Sequence, residues 1–206
     1  MRVVGGEFRG RSLATPSGDA IRPTSDRLRQ TIFDILAHGY GNPARGARVL
    51  DLFAGTGALG LEAMSRGAAF VLFVEDGLEA RGLIRRNVEA LGLTGMSRVF
   101  RRDATRLGAI GSLAPFGLVF ADPPYAQGFG EKALAAAVAG GWLAPGAVVV
   151  LEESAVAEIA PVAGLSVEDT RRVGDSQVVF MRALPPTGSD HRSGLPQPNV
   201  TAKGSR

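Results

Sequence analysis

The chain has 206 residues, 45% of them hydrophobic, and a formal net charge of +3. This length accommodates one sizeable α/β domain with an appendage and is short for two full domains. The longest apolar runs, such as residues 146–151, fall far short of the roughly 20 residues of a membrane-spanning helix. Cysteine is absent, which excludes disulfides, thiolate metal sites and a thiol nucleophile. The two histidines, His38 and His191, lie in unrelated contexts, so we expect no metal site.

The amino-terminal arm is rich in arginine. No apolar segment of the kind found in signal peptides follows Arg2, so we expect a cytoplasmic location. Residues 1–29 hold six arginines against three acidic residues, a local charge of +3. The planar guanidinium group suits phosphates and base edges, so the arm is a candidate nucleic-acid contact. The six arginines are Arg2, Arg9, Arg11, Arg22, Arg27 and Arg29.

The arm contains two predicted elements. Residues 1–13 resemble a short β ribbon with glycine turns. Residues 24–37 place apolar side chains on one face of a helix, which is entered through Pro23 and capped by Thr24 or Ser25.

Strands and helices alternate through the middle of the chain. Residues 47–53, 69–75, 98–103, 117–122 and 146–153 form apolar runs typical of buried strands. Helical patterns follow a glycine-rich turn up to about residue 66 and occupy residues 78–91 and 130–140. This alternation predicts a parallel sheet with helices on both faces.

The carboxyl end departs from this rhythm. Residues 165–182 are two extended runs joined through Gly174 and Asp175, which predicts a β-hairpin with one strand antiparallel to the rest. The pattern divides the chain into an extension (1–40), an α/β domain (41–183) and a tail (184–206) that we expect to be disordered.

A glycine-rich turn follows the first predicted strand. Gly55, Gly57 and Gly60 satisfy G-x-G-x-x-G between a strand and a helix, a pattern typical of a turn that approaches a ligand closely. Glu75, 20 residues after Gly55, ends the next strand and can accept ribose hydroxyls. The combination predicts an adenosine-bearing cofactor, either a nicotinamide dinucleotide or S-adenosylmethionine. Asp51 favours S-adenosylmethionine, because a carboxylate repels a pyrophosphate and attracts an α-ammonium group.

Asp103 follows the third predicted strand. Its carboxylate either accepts from an adenine amino group or caps a helix.

The sequence Asp-Pro-Pro-Tyr, residues 122–125, ends another apolar strand. Two prolines stiffen the loop and remove two N–H donors, so acceptors dominate it. Such a loop suits the exocyclic NH₂ of a base, with Asp122 accepting a hydrogen bond from that group and Tyr125 stacking on the ring. Ligands of open α/β sheets bind at carboxyl ends of strands, so we expect this loop beside the cofactor if its strand neighbours the strand that precedes the glycine turn.

The residues alone leave alternatives open. A guanine amine, an adenine N6 amine and a protein glutamine amide make similar demands on Asp122. A nicotinamide oxidoreductase would need an acid/base that neither histidine is placed to supply. A non-enzymatic nucleic-acid-binding module is a further alternative.

Several strings resemble the bacterial 16S ribosomal RNA guanine-N2 methyltransferases of the RsmD type. They are MRVVGGEFRGRSL, IRPTSDRLRQTIFDIL, DLFAGTGALGLEAMSRGA, FVE, FADPPY and GDSQVVFMR, and together they span roughly residues 1–183. The resemblance implies a class I methyltransferase fold, Rossmann-like, with a seven-stranded, mostly parallel sheet and a terminal antiparallel hairpin. It also implies S-adenosyl-L-methionine as the methyl donor and guanine N2 in 16S rRNA as the acceptor.

The resemblance further implies roles for individual residues. The target amine would lie at Asp122, Pro123, Pro124 and Tyr125, and RNA would face the six arginines of the arm. The expected partner is 16S rRNA, either free or within an assembling small ribosomal subunit, and the expected state is a monomer. Expected cofactor contacts are Asp51, Phe53, Ala54, Gly55, Gly57, Glu75, Asp103 and Ala104.

Overall fold

A computed structural model of the protein describes residues 1–16 and 25–185. The predicted roles of Arg22, Pro23 and Thr24 and the predicted disorder of residues 186–206 lie outside these ranges, as does His191.

Seven strands form one sheet in the order β3-β2-β1-β4-β5-β7-β6. The strands β1 to β5 are mutually parallel where they pair. β7 pairs antiparallel with both β5 and β6, which confirms the predicted terminal hairpin. The bounds are β1 Arg48–Leu52, β2 Phe70–Val74, β3 Ser97–Phe100, β4 Phe116–Ala121, β5 Leu143–Ser154, β6 Leu165–Val173 and β7 Ser176–Ala183.

The helices begin and end close to the predicted positions. Ser25 caps the first of them by accepting a hydrogen bond from the Leu28 amide, as its residue type predicts. The third predicted strand is shorter than expected, because the chain leaves the sheet after Phe100. The bounds are α1 Asp26–Gly39, α2 Ala58–Ser65, α3 Leu78–Ala90 and α4 Phe129–Ala139.

Each face of the sheet is covered by helices. Alternating side chains of β1 enter different cores, with Val49 in one cluster and Leu50 in the other. The first cluster joins the sheet to α1, α2 and α3, whereas the second joins it to α4 and Trp142. Because both faces of the sheet are buried, the strand sequences are continuous apolar runs.

The amino-terminal ribbon is reduced to one bridge, Arg2 with Ser12, flanked by backbone hydrogen bonds. It packs on α2 and α3 as part of the first core, to which Val3 and Leu13 contribute. Helix α1 supplies Ile32 and Phe33 to the same core. Among the described residues, no helix has the length and apolar character needed to cross a bilayer.

Candidate active site

A cavity of about 620 Å³ lies at the carboxyl ends of β1, β2 and β4. β1 and β4 are neighbours, and the strand order reverses between them, which is where open α/β sheets bind ligands. The volume falls within the range of small-molecule sites. Its lining combines the glycine turn with the Asp-Pro-Pro-Tyr loop, as the sequence predicted. The cavity lining includes Ser25, Leu28, Asp51, Phe53, Ala54, Gly55, Glu75, Leu78, Asp122, Pro123, Pro124, Tyr125, Glu152 and Ser176.

Asp51 lies beneath the glycine turn. It is 1% exposed, and its Oδ2 accepts a hydrogen bond of 2.9 Å from the Gly60 amide in α2. Burial raises the pKa of Asp51 well above its ordinary value, and the charges of Asp122 and Glu75 add to this rise. A cationic group in the cavity would relieve this cost, whereas a pyrophosphate would add to it.

Glu75 reaches back across the turn from the end of β2. Its Oε2 accepts from the Gly55 amide at 2.8 Å, and its Oε1 accepts from the Gly77 amide at the same distance. A carboxylate oxygen can accept more than one hydrogen bond, so both oxygens retain capacity for ligand hydroxyls. Glu75 therefore shapes the turn as well as facing the cavity.

The Asp-Pro-Pro-Tyr loop is fixed to the first strand. The Asp122 amide donates to the Leu52 carbonyl at 3.4 Å, across the junction of β1 and β4. Pro123 is buried and Pro124 is exposed, while Asp122 and Tyr125 are half-buried on the cavity. The loop thus presents its polar groups to the space beside the glycine turn.

Tyr125 is held by residues from two other strands. Its hydroxyl donates to Glu152 Oε1 at 2.6 Å and lies 2.9 Å from Ser176 Oγ. Burial, and then the hydrogen bond to Glu152, raise the pKa of Tyr125 above its ordinary value. The phenol therefore stays protonated and donates.

Three predicted cofactor residues lie outside the cavity lining. Gly57 begins α2 with a φ of +79°, a left-handed conformation that glycine adopts without strain. Asp103 caps a 3₁₀ turn by accepting from the Thr105 amide at 2.8 Å, and Ala104 is buried in the second core. The cap role is one of the two alternatives for Asp103, and its contact with an adenine amine stays a prediction.

Several lining residues were not predicted from the sequence to belong to the site. Glu152 is the first of two acidic residues near the carboxyl end of β5. That position is the feature of the sequence that could have identified it as a site residue. Ser176 opens β7, and Ser25 and Leu28 belong to the start of α1, where nothing local marks a site. Leu78 is 77% exposed at the cavity rim, which is unusual for a large apolar side chain.

The arginines of the arm differ in exposure. Arg2, Arg9, Arg11 and Arg27 are exposed, and three of them, Arg2, Arg9 and Arg27, line a second cavity of about 380 Å³ between the ribbon and α1. Arg29 is fully buried, donating to the Arg2 carbonyl and to Asp26. The expectation that Arg29 faces RNA is therefore wrong, because its guanidinium is used to hold the ribbon against α1.

Comparisons with known proteins agree with this architecture. The family model of Conserved hypothetical protein 95 matches residues 1–182. The Ribosomal RNA small subunit methyltransferase D of Escherichia coli K12 is 38% identical over 152 residues, covering 74% of each chain. Its namesake from Haemophilus influenzae is 30% identical over 154 residues, which cover 74% of this chain and 78% of that relative.

Solved structures show the same fold. The E. coli protein yhhF has a TM-score of 0.75 and 33% identity, with 89% of this chain and 98% of that chain covered. The Thermus thermophilus 16S rRNA N2 G1207 methyltransferase RsmC, in complex with AdoMet and guanosine, has a TM-score of 0.60 and 26% identity, with 81% of this chain and 44% of that chain covered. The chain therefore belongs to the family of Conserved hypothetical protein 95 and is, by sequence and fold, a methyltransferase.

Proposed function

We propose that the enzyme transfers a methyl group from S-adenosyl-L-methionine to the exocyclic N2 of a guanine in 16S ribosomal RNA. One observation carries the proposal: the glycine turn and the Asp-Pro-Pro-Tyr loop border the same cavity and are tied together through Leu52 and Asp122. The relatives support the substrate class, because two of them are small-subunit rRNA methyltransferases and a third acts on N2 of a 16S guanine.

The residues around the turn fit S-adenosylmethionine better than a dinucleotide. Asp51, Glu75 and Asp122 place three carboxyl groups close enough for the second and third to raise the pKa of the first. This donor set favours a ligand that carries an ammonium and a sulfonium group over one that carries a pyrophosphate. When bound, S-adenosylmethionine supplies an electrophilic methyl carbon.

The protein supplies positioning. Asp51 would hold the ammonium group of the amino-acid moiety, and Glu75 would accept the ribose hydroxyls. Asp122 would accept a hydrogen bond from the target amine, whose lone pair is otherwise delocalised into the ring. Tyr125 would stack on the base and align that nitrogen with the methyl carbon. Orientation of this kind supplies much of the barrier reduction in group transfer.

The amino-terminal arm would position the RNA. Arg2, Arg9, Arg11 and Arg27 offer exposed guanidinium groups on one extension of the fold. Phosphate contacts orient a nucleic acid without reading its bases, and RNA shape would govern recognition. We propose that the enzyme acts as a monomer in the cytoplasm, on rRNA within an assembling small subunit.

Transfer of tritium from labelled S-adenosylmethionine tests the proposal. The acceptor is 16S rRNA from a strain lacking the gene, and the methylated nucleotide is identified by digestion and mass spectrometry. Asp122→Ala should abolish transfer while changing the cofactor dissociation constant only about two- to threefold, because the residue acts on the acceptor side. Asp175→Ala, in the exposed hairpin turn, serves as the control and should transfer at the wild-type rate.

The outcome distinguishes the alternatives. Label in N2-methylguanine supports the proposal, and label in N6-methyladenine or in protein glutamine would replace it. Absence of transfer to rRNA, with cofactor still bound, would favour a binding module. Equal loss of turnover and cofactor affinity in Asp122→Ala would show that Asp122 shapes the cofactor pocket instead.

A further inference from the structure

We propose that Glu152 and Ser176 are positioning residues that act through Tyr125, fixing its ring as the platform for the acceptor base. The inference rests on the proposed function and adds to it two residues from strands that carry neither of the predicted motifs. Three contacts within one small cluster carry it.

The cluster is compact and buried at its base. The Tyr125 hydroxyl lies 2.6 Å from Glu152 Oε1 and 2.9 Å from Ser176 Oγ. The Ser176 hydroxyl is also 3.2 Å from the same carboxylate oxygen. Glu152 is 3% exposed and Ser176 is 7% exposed, whereas Tyr125 is half-buried and lines the cavity.

The two supporting residues belong to the antiparallel pair of strands β5 and β7. Glu152 faces Val178 in the antiparallel pairing of β5 with β7, and Ser176 faces Ser154. Tyr125, by contrast, lies in a loop, so its ring orientation is not set by a strand. A hydrogen bond to a carboxylate is among the stronger kinds in proteins, and two partners restrict rotation of the phenol further.

A neighbouring contact fixes the end of the same loop. The amide of Ala126, a residue with a φ of +59°, donates to Glu153 Oε1 at 3.0 Å. Two successive acids of β5 thus hold two successive residues of the loop. Preorganisation of this kind lets a flat aromatic ring receive a base without first losing its own rotational freedom.

The first test separates an action through Tyr125 from a general structural effect. Using full-length protein and 16S rRNA from the deletion strain, Glu152→Ala should lower kcat about 10- to 100-fold with the cofactor dissociation constant unchanged. Glu152→Gln keeps an acceptor oxygen and should recover most of that loss. In a Tyr125→Phe background, Glu152→Ala should cause no further loss, because the contact is already absent. Additive losses would overturn the proposal.

Ser176→Ala and Ser154→Ala form a matched pair on opposed strands. Among the described residues, the Ser154 hydroxyl has no hydrogen-bond partner, so its replacement should leave kcat unchanged. Ser176→Ala should lower kcat severalfold with an unchanged melting temperature. Equal behaviour of the two variants would contradict a specific role for Ser176.

A second readout does not depend on activity. The chain has two tyrosines, Tyr40 and Tyr125, so a Tyr40→Phe protein labelled with 3-fluorotyrosine gives one ¹⁹F resonance, from Tyr125. Glu152→Ala should move this resonance towards that of free fluorotyrosine and narrow it, as the ring becomes mobile. An unchanged resonance would overturn the positioning role even if wild-type transfer is observed. If wild-type protein transfers no methyl group but the resonance moves, the proposed function fails while the anchoring of Tyr125 stands.

Discussion

Asp51 is a carboxylate that the fold keeps almost completely out of water. A hydrogen bond from the Gly60 amide offsets part of the cost of burial, and the charges of Asp122 and Glu75 increase that cost. Proteins retain such groups where a ligand compensates for them, so stability and function oppose each other at this residue.

Replacing Asp51 should therefore stabilise the ligand-free protein. Its pKa is higher in the folded state than the ordinary 3.8, so the folded state binds the proton more tightly. The contribution of the Asp51 carboxyl to the free energy of unfolding is fully present when the pH is below its ordinary pKa. It is lost as the pH rises towards the raised pKa of the folded state. Asp51→Asn should melt at a higher temperature than the wild type at about pH 8, with the difference shrinking towards about pH 4.

Thermal denaturation followed by circular dichroism across this pH range measures the effect. The same variant should bind S-adenosylmethionine at least about tenfold more weakly, since an amide does not neutralise an ammonium group. A variant that melts lower than the wild type at every pH would contradict the assignment of a destabilising carboxylate.

At the scale of elements, α2 connects the glycine turn to the sheet. A Cβ atom on Gly60 would lie 2.4 Å from the Phe73 ring and 2.8 Å from Val71 Cγ1, closer than side-chain carbons approach one another. Glycine at this position therefore permits α2 to pack directly on β2, which brings the helix amino terminus to the cavity.

Gly60→Ala should destabilise the protein by about 1–3 kcal/mol, because the packed helix and strand must separate. Gly82→Ala is the matched control, since Gly82 lies in α3 with no atom within 4 Å of its Cβ position. There, alanine should stabilise by about 0.5–1 kcal/mol through its higher helix propensity. Urea denaturation of both variants measures whether the free energy of unfolding falls in Gly60→Ala and rises in Gly82→Ala. Two changes of the same sign would refute the packing explanation.

The opposite side of α2 holds the arginine-bearing arm. The Val4 amide donates to Glu62 Oε2 at 2.8 Å, and the Phe8 amide donates to Ser65 Oγ at 2.9 Å. The buried Glu62 also pairs with Arg66. The same short helix thus contacts the glycine turn at one end and the ribbon along its length.

Ser65→Ala should loosen the ribbon without disturbing the cavity. Removing the hydroxyl leaves the Phe8 amide without its acceptor, at a cost of about 1–3 kcal/mol. Amide exchange at residues 3–13 should accelerate and RNA affinity should fall, with cofactor affinity unchanged. Ser97→Ala removes a comparable hydrogen bond, to the Leu93 carbonyl, at the start of β3 and should leave both ribbon exchange and RNA affinity unaltered. Slow exchange retained in Ser65→Ala would show that the Ser65 hydroxyl is not what holds the ribbon in place.

At the scale of the whole molecule, the acidic cavity and the basic arm are separate parts of the surface. The cavity lining includes the carboxyl groups of Asp51, Glu75 and Asp122, whereas the arm carries four exposed arginines, Arg2, Arg9, Arg11 and Arg27. A polyanion would be attracted by the arm and repelled by the carboxyl groups, so the arm would contribute to the salt dependence of RNA binding.

The double variant Arg9→Gln/Arg11→Gln should reduce the dependence of RNA affinity on salt concentration. Each lost phosphate contact lowers the slope of log K against log salt by roughly 0.7 to 0.9. Arg172→Gln, on the exposed strand β6 at the edge of the sheet, is the control and should leave the slope unchanged. Fluorescence anisotropy with an rRNA fragment over a range of salt concentrations measures this slope. Equal slopes for the arm variant and the wild type would exclude a phosphate role for these two arginines.

The elements and the two motif loops could be predicted from the sequence because they depend on local patterns. Apolar runs, helical spacing and the Ser25 cap act within a few residues. Parallel strands place their carboxyl ends at one edge, so the glycine turn and residues 122–125 were expected to meet if β1 and β4 were neighbours. The strand order confirms that condition.

The remaining features depend on contacts between distant parts of the chain. Tyr125 meets Glu152 and Ser176 across 27 and 51 residues, and Val4 meets Glu62 across 58. Arg29 carries the same charge as its exposed neighbours, yet it is buried because the ribbon folds back over α1. Local sequence determined which strands, helices and motif loops exist, and only the packing of strands β5 and β7 and of the ribbon decided which of these polar side chains meet. A side chain's partners depend on strand order and chain reversal, which short-range pattern does not encode.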